Sequence, residues 1–141
     1  MNLNLYAAFV VLSILMVVDG GEVVAILPRS FFNGRYHRGF REFLFSSCAI
    51  TDIHLFESRD NLFKGVLQEN VIVRFVRGGV QGDICISKSV DGSNCYERFY
   101  VPYSDVISDS GIIIVPNGVR SSSNEFEFVC GVCSVKYFNG C

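Results

Sequence analysis

Hydrophobic and polar positions alternate along the chain in blocks that predict a helix, a strand and a second helix. Leu3 to Val18 is apolar on nearly every side, which predicts a buried helix that other elements must cover. The continuous apolar run from Val23 to Pro28 is typical of a central parallel strand covered on both faces. Tyr36 to Cys48 has the spacing of an amphipathic helix. This order of elements is the beginning of an α/β pattern.

Two further strands complete the first part of the chain. Ile50 to Phe56 and Asn70 to Val76 read as strands, and the polar stretch between them has no long helical pattern. We therefore expect these two strands to pair antiparallel, without a crossover helix. No two glycines stand two residues apart, so the chain lacks the G-x-G turn of nucleotide-binding sheets. The α/β unit thus looks like the back portion of a larger domain.

Beyond Gly82 the pattern changes to short strands and turns, which predicts a β-rich extension. Ile84 to Ser87 and Ile112 to Val115 are brief strand candidates, and Glu125 to Cys141 has the pattern of one more hairpin. The expected organisation has three parts, which are the α/β unit (1–82), the β-rich extension (83–120) and a tail without an assigned structure (121–141).

Composition and charge exclude several classes of protein. Hydrophobic residues are 50% and charged residues 18% of the 141 residues, so a mainly disordered chain is excluded. The formal net charge of -2 argues against a strongly basic, self-sufficient nucleic-acid binder.

Before the apolar N-terminal run there is no Lys or Arg, and after it comes Asp-Gly-Gly-Glu, not a small-residue cleavage site. We therefore expect a core helix in a cytoplasmic protein with no membrane partner, whose six cysteines are thiols.

Four blocks of sequence, in order, resemble adenine-specific DNA methyltransferases of restriction–modification systems. They are Asn4–Phe9, Gly20–Arg41, Ile53–Arg59 and Val66–Ile72. A weaker likeness continues through residues 86–89 and 101–107, and none is seen after about Arg120. The resemblance implies the C-terminal part of the catalytic domain only. It implies the back portion of a Rossmann-like sheet that binds S-adenosylmethionine and whose last two strands form an antiparallel hairpin.

The two motifs that carry the family's chemistry are missing from this sequence. Neither the Phe-x-Gly-x-Gly turn for S-adenosylmethionine nor the Asn/Asp-Pro-Pro-Tyr/Phe motif for a flipped adenine occurs. The resemblance therefore implies a fragment that is inactive alone, with no catalytic, cofactor-binding or metal-binding residue. S-adenosylmethionine and double-stranded DNA belong to the intact enzyme, and a separate chain carrying the missing front half is the further partner that it implies.

Phe75 and a basic loop are the candidate contacts to DNA. The resemblance places an aromatic residue against the extruded base at the end of the third strand, so Phe75 is the predicted stacking residue, with a core phenylalanine as the alternative. We expect it beside the loop 28–33, because open α/β sheets bind ligands beyond their strand ends. Arg29, Asn33 and Arg35 from this basic stretch are the predicted contacts to DNA phosphate.

The other candidates for chemistry have simpler interpretations, and two other classes of protein stay open. Arg38 and Arg41 are expected on a solvated helix face, and both histidines in structural or surface positions. The C-x-x-C of Cys130 and Cys133 has only Cys141 as a further nearby ligand, which leaves a zinc or thiol module as a third interpretation. Another open interpretation, of a different class, is a small secreted disulfide-bonded protein with an N-terminal signal peptide. The apolar start and the even number of cysteines would fit it.

Overall fold

The fold is known from a computed structural model, which describes residues 4–56, 69–89 and 97–115, and the backbone of 95–96, 125–130 and 133–138. The described elements, in chain order, are α1 (Leu5–Met16), β1 (Glu22–Pro28), α2 (Arg38–Ser47), β2 (Cys48–Phe56), β3 (Asn70–Arg77), β4 (Ile84–Ser89), β5 (Cys95–Val101), α3 (Tyr103–Val106), β6 (Glu125–Cys130) and β7 (Cys133–Phe138). Two 3-10 turns, Arg29–Phe32 and Arg35–His37, join β1 to α2. The predicted first two helices and first three strands are thus confirmed, with bounds that shift by a few residues.

The described strands form one sheet in the order β1-β3-β2-β4-β5-β6-β7. β3 lies between β1 and β2 and runs antiparallel to both, so β1 and β2 run in the same direction. The predicted antiparallel pairing of β2 with β3 is confirmed. The prediction that β1 is a central parallel strand is wrong for the described sheet, because β1 stands at its edge and pairs antiparallel with β3. Its apolar run does not fix its position in the sheet, because Val24 and Ile26 of this run are exposed.

The hydrophobic core lies on the face of the sheet that α1 and α2 cover. Val71, Val73 and Phe75 alternate along β3 and are at most 1% exposed. Their partners on β1 are Leu27, Ala25 and Val23, which therefore lie on the same face. The core cluster joins these strand residues to α1 through Ala7, Val10 and Ile14, and to α2 through Phe40 and Leu44.

Helix α1 is covered on one side only by the described residues. Ala7, Val10 and Ile14 face the core and are at most 6% exposed. The large apolar side chains that remain more than half exposed are Leu5, Phe9, Leu12, Leu15 and Met16. This agrees with the expectation for a piece of a larger domain, in which one side of the helix packs on the core and the rest is left uncovered. In this same part of the chain, no helix combines the length and the apolar character needed to cross a membrane.

Arg77 fixes the C-terminal end of α1 to the end of β3. Its Nη1 donates hydrogen bonds to the carbonyl oxygens of Ile14, Leu15 and Val17 at 3.3, 2.9 and 2.6 Å. The turn that follows uses Gly20 with φ +82°, and the Gly20 N–H donates to the Arg77 carbonyl at 2.8 Å. A cation at the carbonyl end of a helix is stabilising, so α1 is held in a defined position.

The β-rich extension continues the same sheet. β4 pairs with β2 in parallel, and β5, β6 and β7 follow antiparallel, so the sheet runs across the expected boundary at residue 82. β5 was not expected from the pattern. The brief strand expected at residues 112–115 is reduced to a single bridge between Ile107 and Ile113. The terminal hairpin is confirmed as β6 and β7, whereas the three-part division at residues 82 and 120 stays a prediction.

Candidate functional site

The carboxyl ends of β1 and β2 and the amino end of β3 lie side by side, where the strands of the sheet terminate. Pro28 ends β1 opposite Asn70, the first residue of β3, and Phe56 ends β2 opposite Ser89 of β4. We term this row of four residues the carboxyl edge. Open α/β sheets place ligands beyond such strand ends, so this edge and the loop after Pro28 form the candidate site.

The loop after β1 has a fixed conformation. Phe31 and Phe32 are 0% and 4% exposed, and their rings meet edge to face at 4.9 Å, so two side chains anchor the loop in the core. The Gly34 N–H donates to the Ser30 carbonyl oxygen at 2.9 Å. A Cβ at position 34 would lie 2.7 Å from that oxygen, so only glycine allows this close approach.

Arg41 of α2 holds this loop from inside the protein. The side chain is 4% exposed, and its Nη1 donates to the carbonyl oxygens of Phe31 at 3.0 Å and Gly34 at 2.8 Å. Its Nε donates to the Gly111 carbonyl at 2.7 Å, which links the loop to the segment beyond α3. Burial and the neighbouring Arg38 lower the pKa of Arg41, but a guanidinium stays protonated in proteins.

The expectation of a solvated helix face is confirmed for Arg38 and wrong for Arg41. Arg38 pairs with Glu42 one turn later, at 2.9 Å between Nε and Oε1, and both side chains are exposed. Arg41 lies on the covered side of the helix. Its planar guanidinium is stable there because it donates hydrogen bonds to the carbonyl oxygens of Phe31, Gly34 and Gly111.

The three predicted phosphate contacts lie on the outer surface of the loop. Arg29, Asn33 and Arg35 are all exposed. Arg29 is tied to Glu69, with its backbone N–H donating to the Glu69 carbonyl at 2.8 Å and its Nη1 lying 3.2 Å from the carboxylate. Arg35 has no ion-pair partner among the described residues. The structure therefore leaves the three predicted residues exposed on one loop, with Arg29 already paired with a carboxylate.

The predicted position of Phe75 beside this loop is wrong. Phe75 faces Val23 of β1 and Ile50 of β2 and is 0% exposed. Pro28 instead faces Asn70, at the opposite end of β3. Since the alternation along β3 turns Phe75 toward the helices, its ring is a core side chain and offers no face to a base.

Phe56 is the described aromatic residue at the carboxyl edge, and the sequence analysis did not single it out. The Phe56 ring meets the His54 imidazole edge to face at 4.8 Å. Its position as the last residue of a strand, at the edge where open sheets bind ligands, is the signal that could have identified it.

Both histidines have structural positions, as expected. His37 is 8% exposed, and the Tyr6 hydroxyl of α1 lies 3.1 Å from its Nε2. His54 lies within hydrogen-bond distance of two serine hydroxyls of β4, with Nδ1 at 2.7 Å from Ser87 and Nε2 at 3.0 Å from Ser89. Burial lowers the pKa of both imidazoles, so both favour the neutral form.

Two cysteines have described side chains, and neither has the features of a reactive thiol. Cys48 and Cys85 are buried and free. Burial, followed by the negative charge of Asp52, raises the pKa of Cys85 to about 11, which disfavours the nucleophilic thiolate. Among the described residues no group of three or more potential ligands could hold a metal ion. The side chains of Cys130 and Cys133 lie outside the described set, so the zinc or thiol interpretation stays a prediction.

Comparisons with known proteins identify the relatives of this chain. The model of the Eco57I restriction-modification methylase family matches residues 1–63. The type II methyltransferase M.BsuBI of Bacillus subtilis is 48% identical over 114 residues, which are 79% of this chain and 23% of that protein. The chain is homologous to a segment of type II DNA methyltransferases. M.PstI of Providencia stuartii is 40% identical over 111 residues, which are 76% of this chain and 22% of M.PstI.

The same segment has a counterpart among solved structures. The type IIG restriction endonuclease BpuSI matches 59% of this chain and 10% of its own, with a TM-score of 0.50 and 28% identity. This likeness agrees with the mixed α/β fold of the described residues. The chain spans about a quarter of the length of the methyltransferases that it matches.

Proposed function

We propose that the chain is the part of an adenine-specific DNA methyltransferase that follows the catalytic motif. In the intact enzyme, S-adenosylmethionine would supply the methyl group for the exocyclic amine of a flipped adenine. The single observation that carries this proposal is the 48% identity to M.BsuBI over 79% of the chain. The antiparallel pairing of β2 with β3 supports the Rossmann-like back portion that the resemblance implies. Such an enzyme would act on DNA in the cytoplasm.

The contribution of this segment would be to hold DNA phosphate at the loop after β1. Arg35 and Asn33 are exposed there, and the buried Arg41 keeps the loop backbone in place. A phosphate that replaced the carboxylate of Glu69 would gain a forked donor from Arg29. Phe75 has no part in this proposal, because its ring is buried.

The residues present do not fit S-adenosylmethionine by themselves. The described carboxyl edge has no glycine-rich turn beside a strand end, and the sequence lacks both chemical motifs of the family. We therefore propose that the chain alone transfers no methyl group and that the remainder of the enzyme supplies both motifs.

The two other classes of protein have less support. Ala7, Val10 and Ile14 of α1 belong to the core, whereas a signal peptide is removed from the mature protein. The free thiols of Cys48 and Cys85 give no support to a disulfide framework among the described residues. No specific observation favours a zinc module.

The test is reconstitution of methyl transfer. The full chain is fused behind the part of M.BsuBI that precedes the matched segment, and labelled S-adenosylmethionine is supplied with double-stranded DNA. We expect label in DNA as N6-methyladenine from the fusion, and none from the chain alone or from the M.BsuBI part alone. Label on cytosine would overturn the adenine specificity. Transfer by the isolated chain, or a folded fusion that transfers nothing, would contradict the proposal.

The same fusion tests the loop. Arg35→Ala is expected to reduce the slope of log affinity against log salt by about 1, because one counterion-releasing phosphate contact is lost. Arg38→Ala is the matched control, since Arg38 is paired with Glu42. Equal slopes for the two variants, measured by fluorescence anisotropy with duplex DNA, would remove the loop from the DNA-binding surface.

A further inference from the structure

We propose that Gly111 is a positioning residue for the loop after β1, and that it acts through the guanidinium of Arg41. Gly111 ends a turn of residues 108–111, which we term the 108–111 turn. This turn fixes the loop in the position from which Asn33 and Arg35 would contact DNA phosphate. The inference rests on the proposed function, because it takes DNA as the ligand of the loop.

The inner side of the loop is held through its backbone carbonyls. Arg41 Nη1 donates hydrogen bonds to the carbonyl oxygens of Phe31 at 3.0 Å and Gly34 at 2.8 Å. The carbonyl oxygen of Phe32, between them, accepts a hydrogen bond from the Ile113 N–H at 2.9 Å. These carbonyls therefore face the interior, whereas the side chains that are proposed to contact phosphate are exposed.

The same guanidinium joins the loop to the 108–111 turn. Arg41 Nε donates to the carbonyl oxygen of Gly111 at 2.7 Å, 70 residues further along the chain. Nε and Nη1 belong to one rigid planar group, so a shift of the Gly111 oxygen must move or break the contacts of Nη1 with the loop. Because Arg41 is only 4% exposed, a lost partner there is costly to replace with water.

The 108–111 turn has a conformation that favours glycine at its last residue. Gly111 has φ +71°, and its N–H donates to the carbonyl oxygen of Ser108 at 2.8 Å. Ile107 and Ile113, on either side of the turn, form a bridge and are 8% and 3% exposed, so the core anchors both ends. A residue with a Cβ is disfavoured at positive φ, which would displace the carbonyl that Arg41 binds.

This link crosses the boundary that was predicted at residue 82. The loop belongs to the predicted α/β unit (1–82), whereas the turn belongs to the predicted β-rich extension (83–120). A loop that is already in its binding conformation loses less freedom when it meets DNA. The extension would therefore set the strength of phosphate contacts that the α/β unit makes.

The first test is hydrogen exchange at Gly34 in the full chain, since its N–H donates to the Ser30 carbonyl within the loop at 2.9 Å. Gly111→Ala should accelerate this exchange by about tenfold, because the positive φ makes the alanine turn unfavourable by about that factor. Gly111→Asn should keep the slow exchange, since asparagine tolerates the left-handed region. A Cβ at position 111 would lie 3.6 Å from the Phe45 ring, which is an ordinary contact.

Gly20→Ala is the matched control for a general loss of stability. Gly20 also has a positive φ, of +82°, but it lies in the turn between α1 and β1. We expect unchanged exchange at Gly34 in this variant. Equal acceleration by Gly20→Ala and Gly111→Ala would overturn the proposal, and so would unchanged exchange in Gly111→Ala. Circular dichroism checks that each variant folds.

A milder variant decides the question if Gly111→Ala does not fold. Ser108→Ala removes the hydroxyl that accepts a hydrogen bond from the Ile112 N–H at 3.1 Å, without strain at positive φ. It should loosen the turn and accelerate exchange at Gly34 by about threefold. No acceleration in this folded variant would overturn the proposal.

The second test measures the link to DNA in the fusion with the M.BsuBI part. Arg35→Ala alone is expected to reduce the slope of log affinity against log salt by about 1. With Gly111→Ala also present, Arg35→Ala should reduce the slope by less than about half as much, since a displaced loop already holds phosphate weakly. With Gly20→Ala present, the full reduction should remain. An equal reduction in all three backgrounds would mean that Gly111 is merely structural and would overturn the positioning role.

Failure of this inference and failure of the proposed function are distinguishable. A fusion that transfers methyl groups, but in which Gly111→Ala leaves the effect of Arg35→Ala intact, would keep the function and overturn the inference. A folded fusion that transfers nothing would remove the proposed function, whereas exchange at Gly34 in the chain alone would still decide whether Gly111 positions the loop.

Discussion

Helices α1 and α2 lie on the same face of one sheet, yet within the described part of the chain only α2 both buries its apolar side and pairs its exposed charges. α2 turns Phe40 and Leu44 inward and pairs its exposed charges, Arg38 and Glu42, with each other. α1 has no charge to expose, and its outer apolar face is bare. The difference teaches that, within the described residues, burial and charge pairing are complete around α2, while α1 and β1 leave apolar side chains exposed.

Two phenylalanines give the largest expected contrast between the regions. Phe75→Ala removes a ring that is 0% exposed in the core and should lower the free energy of unfolding by about 3–5 kcal/mol. Phe9→Ala, on the bare face, removes a ring that is 61% exposed and should change it by less than about 0.5 kcal/mol. Urea-induced unfolding of the full chain, followed by circular dichroism, measures both. Equal losses would mean that the face of α1 is already covered in the chain alone.

The helices and most strands could be predicted because their periodicity is local. The alternation and apolar runs locate α1, β1, α2, β2 and β3 to within a few residues. The partner of a strand is not local information. The continuous apolar run indicates that side chains on both faces of β1 favour apolar neighbours. The described residues cover only one of these faces, so Val24 and Ile26 on the other face are exposed.

The candidate site was predictable only where it followed from the end of a strand. That rule gave the loop after β1 and its exposed Arg29, Asn33 and Arg35. The stacking role of Phe75 came from the resemblance, although its alternation with Val71 and Val73 already indicated the covered face. The role of Arg41 could not be read from the sequence, because its partners are carbonyl oxygens that only the folded chain brings together.

Substitution of Arg41, on the side of α2, should have an intermediate effect on the free energy of unfolding. Arg41→Met leaves buried carbonyl oxygens without a donor and should lower the free energy of unfolding by about 2–3 kcal/mol. Arg38→Met, which breaks only an exposed ion pair, is the control and should cost less than about 1 kcal/mol. Hydrogen exchange should also accelerate at Gly34, in the loop that Arg41 holds. If the two variants have equal stability, the carbonyls find other donors and Arg41 does not organise this side.

The smallest expected effect is on the pH dependence of stability, through His37, which lies where the α2 side of the molecule contacts α1. His37 contacts Tyr6 of α1, and burial, followed by the positive charge of Arg41, lowers the pKa of its imidazole in the folded protein. In the unfolded chain the pKa is about 6.5, so below that pH the unfolded chain binds more protons than the folded one. This contribution to stability is therefore complete above about pH 6.5 and decreases as the pH falls below it.

His37→Gln should flatten this decrease, measured as the difference between the free energies of unfolding at about pH 7.5 and pH 5. His54→Gln is the matched comparison, because burial lowers the pKa of His54 as well, yet its ring lies against Ser87 and Ser89, away from α1. The decrease should become smaller in each variant and smallest in the double variant, since the histidines have separate partners. Only His37→Gln should also accelerate hydrogen exchange in the first turns of α1, where Tyr6 lies. Two results would contradict this role of His37 in holding α1 against the α2 side of the molecule. One is a chain that becomes more stable as the pH falls, and the other is a His37→Gln variant whose stability has the same pH dependence as that of the unsubstituted chain.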